Sequence, residues 1–369
     1  MHLRSLIVSA LAFALSAQTP VVKTLTQGSL ATAEITLKGT SDEARFGLGV
    51  AQTLRALEHL GQGLYRHGSK ARILPVLRLP VPANPNPEAI DAEGLRRLLK
   101  TFQSDLAKAE KTLSRVHASD FKLPLPLGCV MLDLDGDGKA TDRLLDLAGA
   151  LRGGLPEGLD GDLEVAFDAA DAAWLQGYTH LLMGLTDLML AIDFQPYWDS
   201  IGPLLFARPI LDGKPHPTEI TLRFADPKSL GRMRKHLVAM CALSRTTWGR
   251  ALAEQDDDRE WLPSPTQQGV LGVPVRREMI NAWLTMVSEL EDVLEGRLLL
   301  PNWGENRTLG FDLKVFLDHP PASISLERSL KQGPEARFLR KGKQVDTQKL
   351  NQAQRVFGGE FMGMAIWFN

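Results

Sequence analysis

The chain has 369 residues, 44% of them apolar and 23% charged, with 42 basic against 44 acidic side chains and a formal net charge of −2. With that much apolar surface and only two cysteines, the composition excludes a disordered chain, a collagen-like repeat and a disulfide-dense miniprotein. The near-neutral balance argues against a dedicated nucleic-acid binder, which concentrates basic charge.

The first residues, MHLRSLIVSALAFALSAQTP, have a short basic start at His2 and Arg4, an apolar run from Leu6 to Leu15 and small residues at Ser16 and Ala17. This is the pattern of a signal peptide over residues 1–17, cleaved before Gln18, and the run is too short for an ordinary spanning helix. Export to the periplasm or outside the cell is therefore expected. Loss of Arg4 leaves 41 basic and 44 acidic residues, a net charge of −3. No later stretch is apolar enough for a membrane span, so residues 18–369 are expected to form one soluble, helix-rich domain.

Ser41 or Thr40 can cap a helix whose first turn carries Asp42 and Glu43. Its apolar residues (Phe46, Leu48, Val50, Leu54, Leu57, Leu60, Leu64) recur at helical spacing until Gly68. Within it FGLG and LGQGLY resemble a tetratricopeptide helix pair, but nothing recurs at the roughly 34-residue period of such an array. The pairs Gly47/Gly49 and Gly61/Gly63 fit close helix packing better than a dinucleotide fingerprint, which needs a third glycine. A proline-studded link, ILPVLRLPVPANPNP, leads to a long amphipathic helix from about Pro87 to Val116. PLPLGCVMLDLD reads as extended and runs into an Asp/Gly-rich loop, which a short helix from Asp142 to Leu151 leaves.

Asp168 caps the next helix, AADAAWLQGYTHLLMGLTDLMLAID, whose apolar residues run nearly all the way round and mark it as central. Further helices are expected at about 196–206, 227–255, 275–295 and 346–357. The proline-rich segment 207–226 is the best place for a subdivision, and 301–345 reads as irregular and partly β. The expected fold is mainly α, a multi-helix globule of stacked helical hairpins with a few short strands. Trp174, Trp248 and Trp283 fall within helices, where core packing explains them.

The strongest chemical signal is DLDGDGKATD, residues 133–142. Alternate carboxylates at Asp133, Asp135 and Asp137, a turn glycine at Gly138 and a closing acid at Asp142 supply the hard oxygen ligands that calcium takes at about 2.3–2.6 Å. Two carboxylates ~5 Å apart repel by roughly 3 kcal/mol at an effective dielectric near 20, so a compact loop needs a cation or must splay. The segment resembles an EF-hand calcium loop, and more closely the short extracellular relatives that close on an acid at the tenth position. The resemblance implies side-chain ligands at Asp133, Asp135 and Asp137, the backbone carbonyl of Lys139 as a further contributor, and Asp142 as the closing acid. It departs from an EF-hand at the twelfth position, Leu144, and in the extended segment that precedes the loop. The alternative is an acidic turn in which Asp142 caps the following helix.

Other constellations are weaker. GDGKAT is not a phosphate loop, for no glycine stands five residues before Gly138 and three aspartates would repel the ligand. HExxH and GxSxG are absent from the sequence. His180 and Asp187 share one helix face and, with Asp171, would line a cleft in which His180 acts as base or ligand; hydrogen-bonded burial is the plainer reading. Glu360, alone in an apolar terminus, poses the same choice. The run EQDDDREW (Glu254, Asp256, Asp257, Asp258, Glu260) would ordinarily be a solvated face and otherwise part of a second metal site. Cys129 and Cys241 lie in apolar segments and are expected as buried, reduced thiols, although a bridge closing a loop of ~110 residues would contribute roughly 4–5 kcal/mol in the entropic model. The expected function is an exported calcium-binding protein with a binding or scaffolding role, its partner a protein or small molecule and not nucleic acid. The rival is an extracytoplasmic hydrolase-like enzyme with an inter-helix cleft around His180 and Asp187.

Overall fold

Caps written into the sequence delimit the helices. The computed structural model describes residues 19–71, 74–117, 120–152, 163–213, 219–358 and 361–368; the leader pattern and Glu360 lie outside them. Thr19 caps α1 (Pro20–Thr26) and Ser29 caps α2 (Leu30–Thr36), each accepting an amide N–H from the first turn. Ser41 caps α3 (Asp42–Arg66) in the same way, and Asp91 caps α4 (Ala92–Leu113), accepting the Gly94 amide at 2.7 Å. The α4 helix therefore begins later than the sequence pattern suggests. Glu88 and Ile90 pair in extended form with Arg66 and with the 208–210 segment, and Asp91 is the first residue free to cap.

After α4 the chain forms β1 (Leu123–Pro126) and β2 (Met131–Leu132), makes the Asp/Gly loop, and returns as β3 (Asp142–Arg143) before α5 (Leu144–Arg152). Strand β4 (Glu164–Phe167) pairs antiparallel with β1 and leads into α6 (Ala169–Ala191). At the start of α6 Asp168 and Asp171 form a reciprocal capping box. Next come α7 (Trp198–Leu205), β5 (Thr221–Arg223), α8 (Lys228–Ala251) and α9 (Arg277–Leu294). The segment expected to be irregular holds β6 (Leu300–Pro301), β7 (Gly310–Phe311), α10 (Leu313–Asp318), β8 (Ser323–Ser325), α11 (Leu326–Gln332) and β9 (Leu339–Arg340). The described chain closes with α12 (Thr347–Arg355) and α13 (Phe361–Phe368). Among the described residues the strands pair only antiparallel, in sheets of two or three, and the fold is mainly α as expected. No described helix is long and apolar enough to cross a membrane.

The apolar residues of α1 to α4, β1 and β4 make one cluster with the inner face of α6. A second cluster gathers Trp248 of α8, Ile280, Trp283 and Met286 of α9, and Met364, Trp367 and Phe368 of α13. A third, smaller one joins Ala191, Leu230, Leu294 and Leu317. Helix α6 is packed between α4 and α8, which explains why its sequence is apolar on almost every side. Trp248 and Trp283 are buried, as expected, and Trp174 partly so. The glycines of α3 do permit close packing: a Cβ at Gly63 would sit 2.5 Å from Leu98, and one at Gly61 would sit 2.8 Å from Leu134. Cys241 is buried, and burial pushes its thiol up to about 12. Cys129, in contrast, is exposed, because the short turn after β1 rolls it outward; both are free thiols.

Candidate metal centre and a polar seam

Helix α3 carries the Asp/Gly loop. Leu134, second in the loop, is buried against Gly61, and the residues around that contact hold the neighbouring backbone. Glu58 Oε1 accepts the Asp133 N–H at 2.9 Å, and Gln62 Nε2 donates to the Asp133 carbonyl at 2.9 Å. Glu58 and Gln62 stand one turn apart on α3, so both backbone polar groups of the first loop residue are fixed by one helix face. Glu58 is only 1% exposed, and burial raises its carboxyl although Asp133 and Arg55 hydrogen bonds pull the other way. A charged residue inside the stripe Leu54, Leu57, Leu60, Leu64 was the available signal for this support.

Within the loop, Asp133 accepts the amides of Gly136 (2.7 Å) and Gly138 (3.1 Å) through its two oxygens. Asp135 accepts the Asp137 amide at 3.1 Å, and Asp137 accepts that of Lys139 at 2.7 Å. Gly136 and Gly138 have φ of +78° and +86°, the left-handed region that glycine enters without steric penalty. One carboxylate oxygen from each of Asp133, Asp135 and Asp137 lies within 4.8 Å of the other two. The donor set is oxygen only, convergent and partly exposed, which suits calcium.

Asp142 sits across the loop mouth and accepts the Leu134 amide at 3.1 Å. It does not cap α5: it pairs with Leu132 in the β2–β3 ladder, and the helix starts two residues later. The Lys139 ammonium lies 3.7 Å from Asp137 in an exposed contact. The structure thus brings three of the four expected carboxylates together and uses the fourth to close the turn.

His180 and Asp187 both face the interface of α4, α6 and α8, but they do not touch. His236 of α8 stands between them, its Nδ1 2.9 Å from His180 Nδ1 and its Nε2 3.7 Å from Asp187. At the outer end His180 Nε2 lies 3.6 Å from Glu110, which also accepts from Gln176. At the inner end the fully buried Asp187 accepts from Arg232 at 3.1 Å and Gln103 at 3.2 Å. Burial raises the Asp187 carboxyl, and Arg232 offsets that. Asp171 is elsewhere: its Oδ2 accepts the Asp168 amide at 3.0 Å in the capping box. A cavity of about 430 Å³ opens beside the seam, lined by Arg96, Lys100, Gln103, Asp226 and Arg232 with Leu190 and Ala225. Neither His180 nor Asp187 lines it.

Two imidazoles joined Nδ1 to Nδ1 can share one proton across that contact but not hold two, so the contact opposes the second proton. Burial first, and then the neighbouring His180, pull His236 down to about 4. Its facing groups are His180, Glu110, Asp187 and Arg232. Below an unfolded value near 6.5 the unfolded chain takes up a proton that the folded chain refuses until about pH 4. The stabilisation is therefore complete above pH 6.5 and is lost as pH falls towards 4. Urea unfolding at pH 7.5 and 4.5 should show wild type losing about 2 kcal/mol more than His236→Leu. Equal losses in both proteins would mean that His236 titrates normally.

Comparison of the chain with protein-family models, curated proteins and solved structures finds no match in any of the three.

Proposed function

We propose that the chain is an exported calcium-binding protein with a binding or scaffolding role, its ion held by Asp133, Asp135 and Asp137 in the 133–142 loop. The convergence of these three carboxylates within 4.8 Å carries the reading. Export rests on the leader pattern of residues 1–17. The ion would neutralise a mutually repelling trio and brace the turn that joins β2 to β3, next to α3. Lys139 through its carbonyl, Asp142 and water are the groups available to complete the six to eight oxygens that calcium takes.

Loops of this kind bind calcium at roughly 10⁻⁴–10⁻³ M in extracellular modules. Binding to the folded state alone stabilises by RT ln(1 + [L]/Kd), about 1.4 kcal/mol at ten times Kd. Calcium in the millimolar range should therefore raise the melting temperature by a few degrees, and magnesium, which demands a tighter octahedron, should do less. Asp135→Ala should lose that loop's share of the heat in a calorimetric titration while its far-ultraviolet dichroism stays the same. A calcium response identical in Asp135→Ala and wild type would reduce the loop to an acidic turn.

A further inference from the structure

The acidic run after α8 does not form a solvated face. Asp256, Asp257 and Asp258 are exposed, but Glu260 is 2% exposed and Glu254 half-buried. The chain turns at Arg259, whose φ is +57°, and the Arg259 carbonyl is held by the Ala166 amide. That turn sends Glu260 inward to the capping box of α6. One carboxylate oxygen each from Asp168, Glu254 and Glu260 then lies within 4.8 Å of the others.

Two observations separate this cluster from an ordinary acidic surface. Asp168 is 2% exposed; its Oδ1 serves the helix cap, accepting the Ala170 amide at 2.7 Å, but its Oδ2 is buried and receives no hydrogen bond. Asp171, on the same turn and equally buried, leaves Oδ1 without a donor. The nearest cation is the Lys122 ammonium, 3.7 Å from Asp168 Oδ2 and 3.6 Å from Glu260 Oε1, and it donates instead to Asp256 at 3.1 Å. One ammonium thus stands against five carboxyl groups: those of Asp168, Asp171, Glu254, Asp256 and Glu260. The second observation is access. A cavity of about 380 Å³ is lined by Glu254, Asp256 and Asp257 along with Ser264, Thr266, Gln267 and Arg277, three acids to one base, and it reaches Glu254.

We infer that Asp168, Glu254 and Glu260 form a second divalent-cation site, of the calcium class, entered through this cavity and independent of the 133–142 loop. The donors are carboxylate oxygens without nitrogen or sulfur, the set that selects a hard cation, and Asp168 Oδ2 accepts no amide or hydroxyl hydrogen bond, with Lys122 held off at 3.7 Å. Lys122 is the competing internal cation: its flexible stem lets the ammonium withdraw to Asp256 when the ion enters. The site would clamp the start of α6 to the 254–260 turn that follows α8, two segments that otherwise meet as like charges.

The test uses the full-length protein carrying Asp135→Ala, so that the loop cannot contribute. Calorimetric titration with calcium chloride should still show one ion per chain. Glu260→Gln in that background should lose it, and Lys122→Met should bind about tenfold more tightly, a gain that misfolding cannot imitate. Terbium added to the Asp135→Ala protein should give emission sensitised by tryptophan, since Trp261 adjoins Glu260, and excess calcium should quench it. Absence of both calcium binding and sensitised emission in Asp135→Ala would overturn the inference. So would a calcium affinity that neither Glu260→Gln nor Lys122→Met alters. Failure of the loop reading looks different: wild type and Asp135→Ala would then both bind a single ion.

Discussion

Trp248→Ala is expected to destabilise the protein by about 3–5 kcal/mol, the range for removing a fully buried tryptophan from a core that cannot collapse around the void. Trp248 is 0% exposed, its ring lies 4.6 Å from that of Phe368, and its Nε1 donates to the Phe368 carbonyl at 3.1 Å. Phe368 also meets Trp283 at 6.1 Å and Phe357 at 5.6 Å, so the tryptophan is the floor on which α9 and α13 rest. The variant therefore loses apolar contact and leaves a buried carbonyl without its donor. Urea denaturation should show a lower midpoint with the slope retained. A cost below about 1 kcal/mol would mean that α13 contributes little to the second core.

The second large effect is expected at Glu58. Glu58→Ala removes the acceptor of the Asp133 amide and the ion-pair partner of Arg55, both inside the α3 interface. Loss of one partner from such a buried, charge-assisted pair costs about 3 kcal/mol. The loop would also lose one of the two bonds that fix Asp133, and supports of this sort are worth 10–100-fold in metal affinity. Calcium affinity of the loop, measured by calorimetry, should fall accordingly. Glu58→Gln, which keeps a carbonyl oxygen in the same place, should lose less. Unchanged affinity in Glu58→Ala would show that the loop is organised by its own internal hydrogen bonds alone.

The long helices were legible because each carries a local start signal and a sustained period. Ser41 and Asp168 cap where the pattern places them, and the ends of α8 and α9 fall within a few residues of expectation. The short helices α1, α2, α10, α11 and α13 were not, since six to eight residues give too few repeats of a 3.6-residue period to stand out. Asp142 shows the limit of local reading: the same residue type suits a helix cap or a strand end, and only pairing with Leu132 decides.

The sites divide in the same way. The 133–142 loop was legible because its carboxylates are neighbours in sequence. His236 was not, because it is one polar residue on a helix rich in them, and its meaning appears only when α8 lies against His180. The inward turn of Glu254 and Glu260 was missed for a similar reason. A run of acids reads as solvated until Asp168, far away in the chain, is brought beside it.

Helix α6 contributes to all three apolar clusters, with Ala172, Met183, Met189 and Leu190 in the first, Ala170 in the second and Ala191 in the third. A wall shared among three cores links their opening equilibria. Any fluctuation that strips one face of α6 also weakens what remains on the others, so the free energy of opening one cluster contains part of the cost of opening the next. Local excursions are thereby displaced to elements outside the shared wall, such as α11 and α12, which bury no residue of their own. The carboxylates of one proposed cation site stand at the first turn of this wall, and the 133–142 loop joins it through Leu134, which belongs to the first cluster. An ion bound at either would act on the cooperative body of the molecule and leave its loosest parts untouched.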